Sequence, residues 1–109
     1  MLVSKQWEFL TDTAKLIRFI DEETDLTASG GELWRTKYQQ EHYVARGLSE
    51  TMNSAHLNRL AIDLNFFRDG KWIQDIEAIR PVGEYWESLD ANHTWGGTWG
   101  WDPCHFETR

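Results

Sequence analysis

The sequence of 109 residues contains one cysteine, Cys104. A lone cysteine excludes an internal disulfide, so the fold closes without a covalent staple. It also excludes a structural zinc site built from several thiolates. No stretch approaches the ~18 apolar residues that a membrane-spanning helix needs. The opening segment MLVSKQWEFL lacks the apolar run of a signal peptide, so the expectation is a soluble protein made in a cytoplasm. Basic residues are also scarce, with 11 Lys and Arg against 18 Asp and Glu and a net charge of -7. Nucleic acid needs a basic footprint, and an anionic membrane surface attracts polybasic segments. Neither is an expected partner.

What is present is the composition of a globular chain, 40% hydrophobic and 27% charged. Its length fits one domain spanning residues 1–109, expected to be a monomer. Seven tryptophans are many for this length and must serve a core, a substrate groove, or both.

Apolar residues recur at steps of three and four from Lys5 to Glu22 (Trp7, Leu10, Ala14, Ile17, Ile20). This predicts an amphipathic helix with that stripe against the core. Thr24 to Gly31 reads as a loop or short strand, and Arg35 to Arg46 as a more polar helix stopped by Gly47. Leu60 to Phe67 alternates, with Leu60, Ile62, Leu64 and Phe66 on one face and Ala61, Asp63, Asn65 and Phe67 on the other. That is a strand. Arg68-Asp69-Gly70 turns it into a returning strand, Lys71 to Gln74. A further helix is expected around Ile79 to Leu89 with Pro81 near its start, then a Trp/Gly loop from Ala91 to Trp101 and a short strand from Pro103 to Glu107. Separate helices with an antiparallel hairpin give an α+β class, a small antiparallel sheet packed with helices.

The chemistry-bearing residues stand out against this frame. Asp63 sits mid-strand, where Asp is disfavoured; either its face is wet or the carboxylate has a buried partner. His56 precedes it by seven residues in Ser54-Ala55-His56. A loop that folds back over the polar face of the strand can bring the two to one ion, although a lone His is more often structural. His105 offers a third ligand type near the chain's end. Two His and one carboxylate suit a catalytic zinc ion, because three protein ligands leave a position for water or substrate. Asp102, three residues before His105, is either an ordinary turn residue before Pro103 or a base placed near a ligand.

Ser54-x-His56-x6-Asp63, followed some 40 residues later by Asp102-Pro-x-His105-Phe-Glu107, resembles the D-alanyl-D-alanine carboxypeptidase family of zinc peptidases. Similar too are Glu32-x-x-Arg35-Thr36-x-x-Gln39, Leu60-Ala-Ile-Asp-Leu64 and the Trp/Gly loop before Asp102. The family includes vancomycin-resistance dipeptidases and carboxypeptidases, and phage endolysins that cut the L-alanyl-D-glutamate bond. The resemblance implies the DD-carboxypeptidase/hedgehog-like fold, and zinc held by His56, Asp63 and His105. It implies Asp102 as general acid/base and Arg35 as the cation for an oxyanion or substrate carboxylate. It also implies Ser54 as a nearby substrate contact. Trp95, Trp99 and Trp101 would line a groove for a peptidoglycan stem peptide, or else pack over the core. Glu107 would orient His105 or simply end the chain in solvent.

Two departures from the family pattern are visible. Arg59 stands where a small residue is usual, four positions before the ligand Asp, and Asp102 stands where Glu is frequent. The implied function is a phage endolysin-like peptidase of the bacterial cell wall, made in the host cytoplasm and acting after release through a separate pore protein. Two alternatives remain at this point. One is a D-Ala-D-Ala dipeptidase or carboxypeptidase. The other is a zinc-stabilised wall-binding module without catalysis, to which Asp102 would be of no use.

Overall fold

The alternating segment around Asp63 forms the central strand of the protein. In the computed structural model, which describes residues 1–49 and 53–109, this strand is the longest of five. The elements in chain order are α1 (Leu2–Glu23), β1 (Thr27–Gly30), α2 (Lys37–Ala45), a 3-10 turn (Ala55–Asn58), β2 (Ala61–Arg68), β3 (Lys71–Ile73), α3 (Ile76–Leu89), β4 (His93–Trp95), a second 3-10 turn (Gly96–Trp99) and β5 (His105–Thr108).

All strand pairs are antiparallel. β1 lies along one edge of β2, with Thr27 opposite Phe67. β5 and β3 share the other edge, with Asp63 opposite His105 and Phe66 opposite Ile73. β4 closes the far side of β5. The expected hairpin is present: Asp69 and Gly70 both take positive φ, as a two-residue turn between twisted strands requires. The α+β class expected from sequence is the one observed.

The core lies where α1 and α3 cover one face of this sheet. Leu64 and Phe66 of β2 meet Ile79, Val82 and Trp86 of α3 and Phe106 of β5. The side-chain period of two then turns Asp63 to the opposite face, which carries the site.

Helix α1 forms as expected but presents a different face. Its buried positions are Phe9, Thr13, Leu16 and Ile20. Of the stripe expected inside, only Ile20 is buried, while Trp7, Leu10 and Ile17 are exposed. Both stripes keep helical spacing, so periodicity alone could not choose between them. Two contacts decide it. Phe9 packs edge-on to Trp86, ring centroids 5.6 Å apart. Thr13 can be buried because its hydroxyl donates to the Phe9 carbonyl at 2.8 Å.

Helix α3 starts earlier than expected. Asp75 caps it by accepting from Glu77 N, so Pro81 sits inside the helix, not at its start. The Trp/Gly segment is also not a simple loop. His93 to Trp95 adds a strand, and Gly96 to Trp99 a turn. Gly96 is needed there, because a Cβ would lie 2.2 Å from the Asp102 carbonyl oxygen and 3.0 Å from the His105 Cβ. This close approach brings Asp102 beside β5.

No helix among the described residues is long and apolar enough to cross a membrane.

Candidate metal centre

The site begins with backbone. The pentapeptide Gly31 to Arg35 continues β1 and runs beside both β2 and the 3-10 turn of His56. Gly31 N donates to Asp63 O at 2.8 Å, and Asp63 N donates to Glu32 O at 2.8 Å. Arg35 N donates to His56 O at 3.2 Å. One strap therefore fixes the backbone of two candidate ligands and carries Arg35.

Ser54 caps the 3-10 turn, its hydroxyl accepting from His56 N at 3.3 Å. The His56 ring is 2% exposed. Its Nδ1 lies 3.0 Å from the Leu33 carbonyl, which can only accept, so Nδ1 carries the proton. In the neutral ring the lone pair is then on Nε2, the nitrogen that faces Asp63 Oδ2 at 3.4 Å. His105 uses its atoms the other way round. Nε2 lies 2.8 Å from Glu107 Oε1, and Nδ1 faces Asp63 Oδ1 at 3.1 Å.

One donor atom from each of His56, Asp63 and His105 falls within 4.8 Å of the other two. The strand register explains part of this, since Asp63 and His105 are direct cross-strand partners. Two imidazole nitrogens facing two oxygens of one carboxylate repel unless a positive charge, proton or metal, lies between them. The donor set, two nitrogens and a carboxylate, is one that suits zinc.

Protonation of the metal-free site follows the same logic. Burial pulls the Asp63 carboxyl upward, but hydrogen bonds from His105 and His56 outweigh it and bring the pKa down to about 2. Burial disfavours the His105 imidazolium, but hydrogen bonds to Asp63 and Glu107 outweigh it and raise the pKa to about 9.

Asp102 is held beside the cluster without joining it. Its carbonyl accepts from His105 N at 3.2 Å. Burial raises its carboxyl pKa.

Arg35 is mostly buried at the other side of the cleft. Its Nε donates to Glu32 Oε1, its Nη1 to Gln40 Oε1 at 2.6 Å, and its guanidinium lies 4.6 Å from the Tyr43 ring centre. Ser54 Oγ is 3.5 Å from Nη1. Tyr43 hydroxyl bonds Glu32 Oε2 at 3.0 Å, and that bond raises the Tyr43 pKa. Arg35 and Ser54 line a cleft of about 370 Å³ with His56, Asp63 and His105 on its wall.

The profile of the D-alanyl-D-alanine carboxypeptidase family matches residues 48–108, more than half of the chain. The chain belongs to that family. The matched range contains His56, Asp63, Asp102 and His105; Arg35 lies outside it. The crystal structure of the Serratia marcescens L-Ala D-Glu endopeptidase ChiX superposes with a TM-score of 0.72 at 23% identity, covering 91% of this chain and 79% of that one. This likeness extends the shared fold to nearly the whole chain. A search of curated protein sequences finds no match. The family is one of peptidases, which makes this member a hydrolase.

Around the cleft, the tryptophans divide. Trp99 and Trp101 line the cleft and are 42% and 64% exposed, their rings 5.7 Å apart, with Trp99 5.2 Å from the His105 ring. Trp95, expected beside them, is 1% exposed and belongs to the core, with its indole N–H donating to the Pro103 carbonyl at 2.8 Å. The Gly96 bend separates the two roles.

Glu107 is buried against His105, not in solvent. His93 is away from the cleft, stacked on Trp86 at 4.0 Å and bonded to Asp12 at 2.9 Å. His42 is exposed, as its polar helix implied. Burial pushes the Cys104 thiol up to about 11, so it is a poor nucleophile. Arg59 takes φ 59 to end the 3-10 turn, and its guanidinium rests 4.4 Å from the Trp34 ring centre. The sequence pattern gave no sign of Gln40 and Tyr43 as supports for Arg35, since both look like ordinary residues of a polar helix.

Proposed function

We propose that this protein is a zinc-dependent peptidoglycan peptidase that hydrolyses a stem-peptide bond, L-alanyl-D-glutamate, in the manner of a phage endolysin. The reading rests on one observation: His56 Nε2, His105 Nδ1 and a carboxylate oxygen of Asp63 converge in a cleft that also holds Asp102. The L-Ala D-Glu endopeptidase name borne by the fold neighbour supports the choice of bond.

His56, Asp63 and His105 would hold the ion. When bound, zinc lowers the pKa of water towards ~7 and polarises a scissile carbonyl. Asp102 takes the proton of the attacking water and returns it to the leaving amine, a task served by its raised pKa. Arg35, fixed by Glu32 and Gln40, offers a planar cation to the developing oxyanion or to a substrate carboxylate. Ser54, bonded to the His56 backbone, keeps the turn and the Arg35 side of the cleft together. Trp99 and Trp101 provide apolar surface for the stem peptide.

In this reading residues 1–109 act as one catalytic unit, a monomer. It reaches the wall after release from the cytoplasm.

Digestion of purified sacculi, with mass analysis of the products, tests the proposal. New N-terminal D-glutamate with intact cross-links supports it. The family's description favours a second reading, removal of a terminal D-alanine. In that case the same digest loses only D-alanine.

A further inference from the structure

The two imidazoles of the cluster are held by different kinds of partner. His56 leans on a neutral backbone carbonyl, Leu33 O at 3.0 Å. His105 leans on a carboxylate, Glu107 Oε1 at 2.8 Å. Glu107 is two residues from His105 on β5, so the pleat sets both side chains on one face. Its cross-strand partners are Ala61 on β2 and Thr94 on β4.

Glu107 is 3% exposed. Its second oxygen accepts from Arg109 Nε at 2.6 Å, and Arg109 Nη2 donates to Asn53 O at 3.2 Å. A buried carboxylate costs several kcal/mol unless it is paired and hydrogen-bonded, and an apolar side chain often fills such a place at no loss of stability. What an apolar residue cannot do here is accept the Nε2–H of His105. That bond holds the ring against flipping and keeps a proton on Nε2, so Nδ1, facing Asp63, is the nitrogen that a metal can take in exchange for its proton. Glu107 is not itself one of the donors that converge.

We propose that Glu107 is a positioning residue for the metal centre: it sets the tautomer of His105 and strengthens Nδ1 as a zinc donor. This rests on the metal centre of the proposed function. Carboxylate partners of ligating imidazoles are worth about 10–100-fold in metal affinity.

The experiment is zinc affinity, by competition with a chromophoric chelator, on the full chain as wild type, Glu107→Gln and Glu107→Ala. The fold of each metal-free variant is followed by circular dichroism. Glu107→Ala is expected to bind zinc about 10–100-fold more weakly, and Glu107→Gln, which keeps an acceptor, to lose less. Nitrogen NMR of the zinc-loaded wild type should show His105 protonated at Nε2, a readout that does not depend on either variant folding. Folded Glu107→Ala with wild-type affinity, or wild-type His105 protonated at Nδ1, overturns the assignment. Absence of zinc uptake by the wild type would instead remove the metal centre itself, so the two failures are read in different samples.

Discussion

Asp63 on β2 stands directly across the sheet from His105 on β5, with Oδ1 3.1 Å from Nδ1, while its other oxygen faces His56 Nε2 at 3.4 Å. One carboxylate therefore joins the strand pair to the 3-10 turn. The chemistry proposed for the cleft depends on that junction, and each surrounding residue has a separable part.

Asp102 lines the cleft but is not a donor of the cluster. Asp102→Asn should keep zinc content unchanged and lower the hydrolysis rate by about 10²–10⁴-fold. The check is turnover of a stem peptide alongside elemental analysis of the same sample. Loss of zinc with activity would mean that Asp102 serves the metal site.

Arg35 is held through Nε and Nη1 together. Arg35→Lys keeps the charge but not the planar fork, so it should recover little of the about 10²–10³-fold loss in kcat/KM expected for Arg35→Ala. Glu32→Gln, which loosens the same guanidinium, should fall between wild type and Arg35→Lys. Steady-state kinetics on folded variants decide this. Full activity in Arg35→Lys would reduce its role to charge alone.

Trp95 and Trp101 separate core from groove. Truncating buried Trp95 to Ala should cost about 3–5 kcal/mol of stability. Trp101→Ala, at the exposed rim, should leave stability within about 0.5 kcal/mol and raise KM. Thermal melts and kinetics of both variants test the division.

That division shows where sequence pattern stops. Spacing and residue type were enough for β2, the Asp69–Gly70 turn and α2, because each rests on local chemistry, and a short motif singled out His56, Asp63 and His105, which the fold brings together. The face of α1 was not legible. Two stripes shared the helical period, and the choice lay with Trp86, 77 residues beyond Phe9 in the chain. The place of Trp95 was likewise hidden, since a single bend at Gly96 decides which tryptophans of one short run face the core. The start of α3 was not legible either, since a proline favours the first turn of a helix, and here the Asp75 cap starts the helix ahead of Pro81.

The pH dependence follows from the two shifted groups. His105, raised from 6.5 to about 9 in the metal-free protein, contributes stability that is complete below pH 6.5 and is lost as pH rises through about 9. Asp63, lowered from 3.8 to about 2, contributes stability present above pH 3.8 and lost as pH falls through about 2. Zinc must displace the His105 proton, so its affinity should rise by about tenfold per pH unit between pH 7 and 9. Melting temperatures should therefore fall from pH 6.5 to 9 without metal, while the added stability given by zinc grows. A flat zinc affinity across that range would contradict the proton's place at Nδ1.

The most direct measurement is the metal content of wild type and His56→Ala, each purified without added metal and then titrated with zinc. The account predicts about one zinc per wild-type chain and almost none in the variant, with both chains folded. Wild-type protein that neither carries nor takes up zinc, or a His56→Ala variant that holds it equally well, would contradict the metal centre at His56, Asp63 and His105.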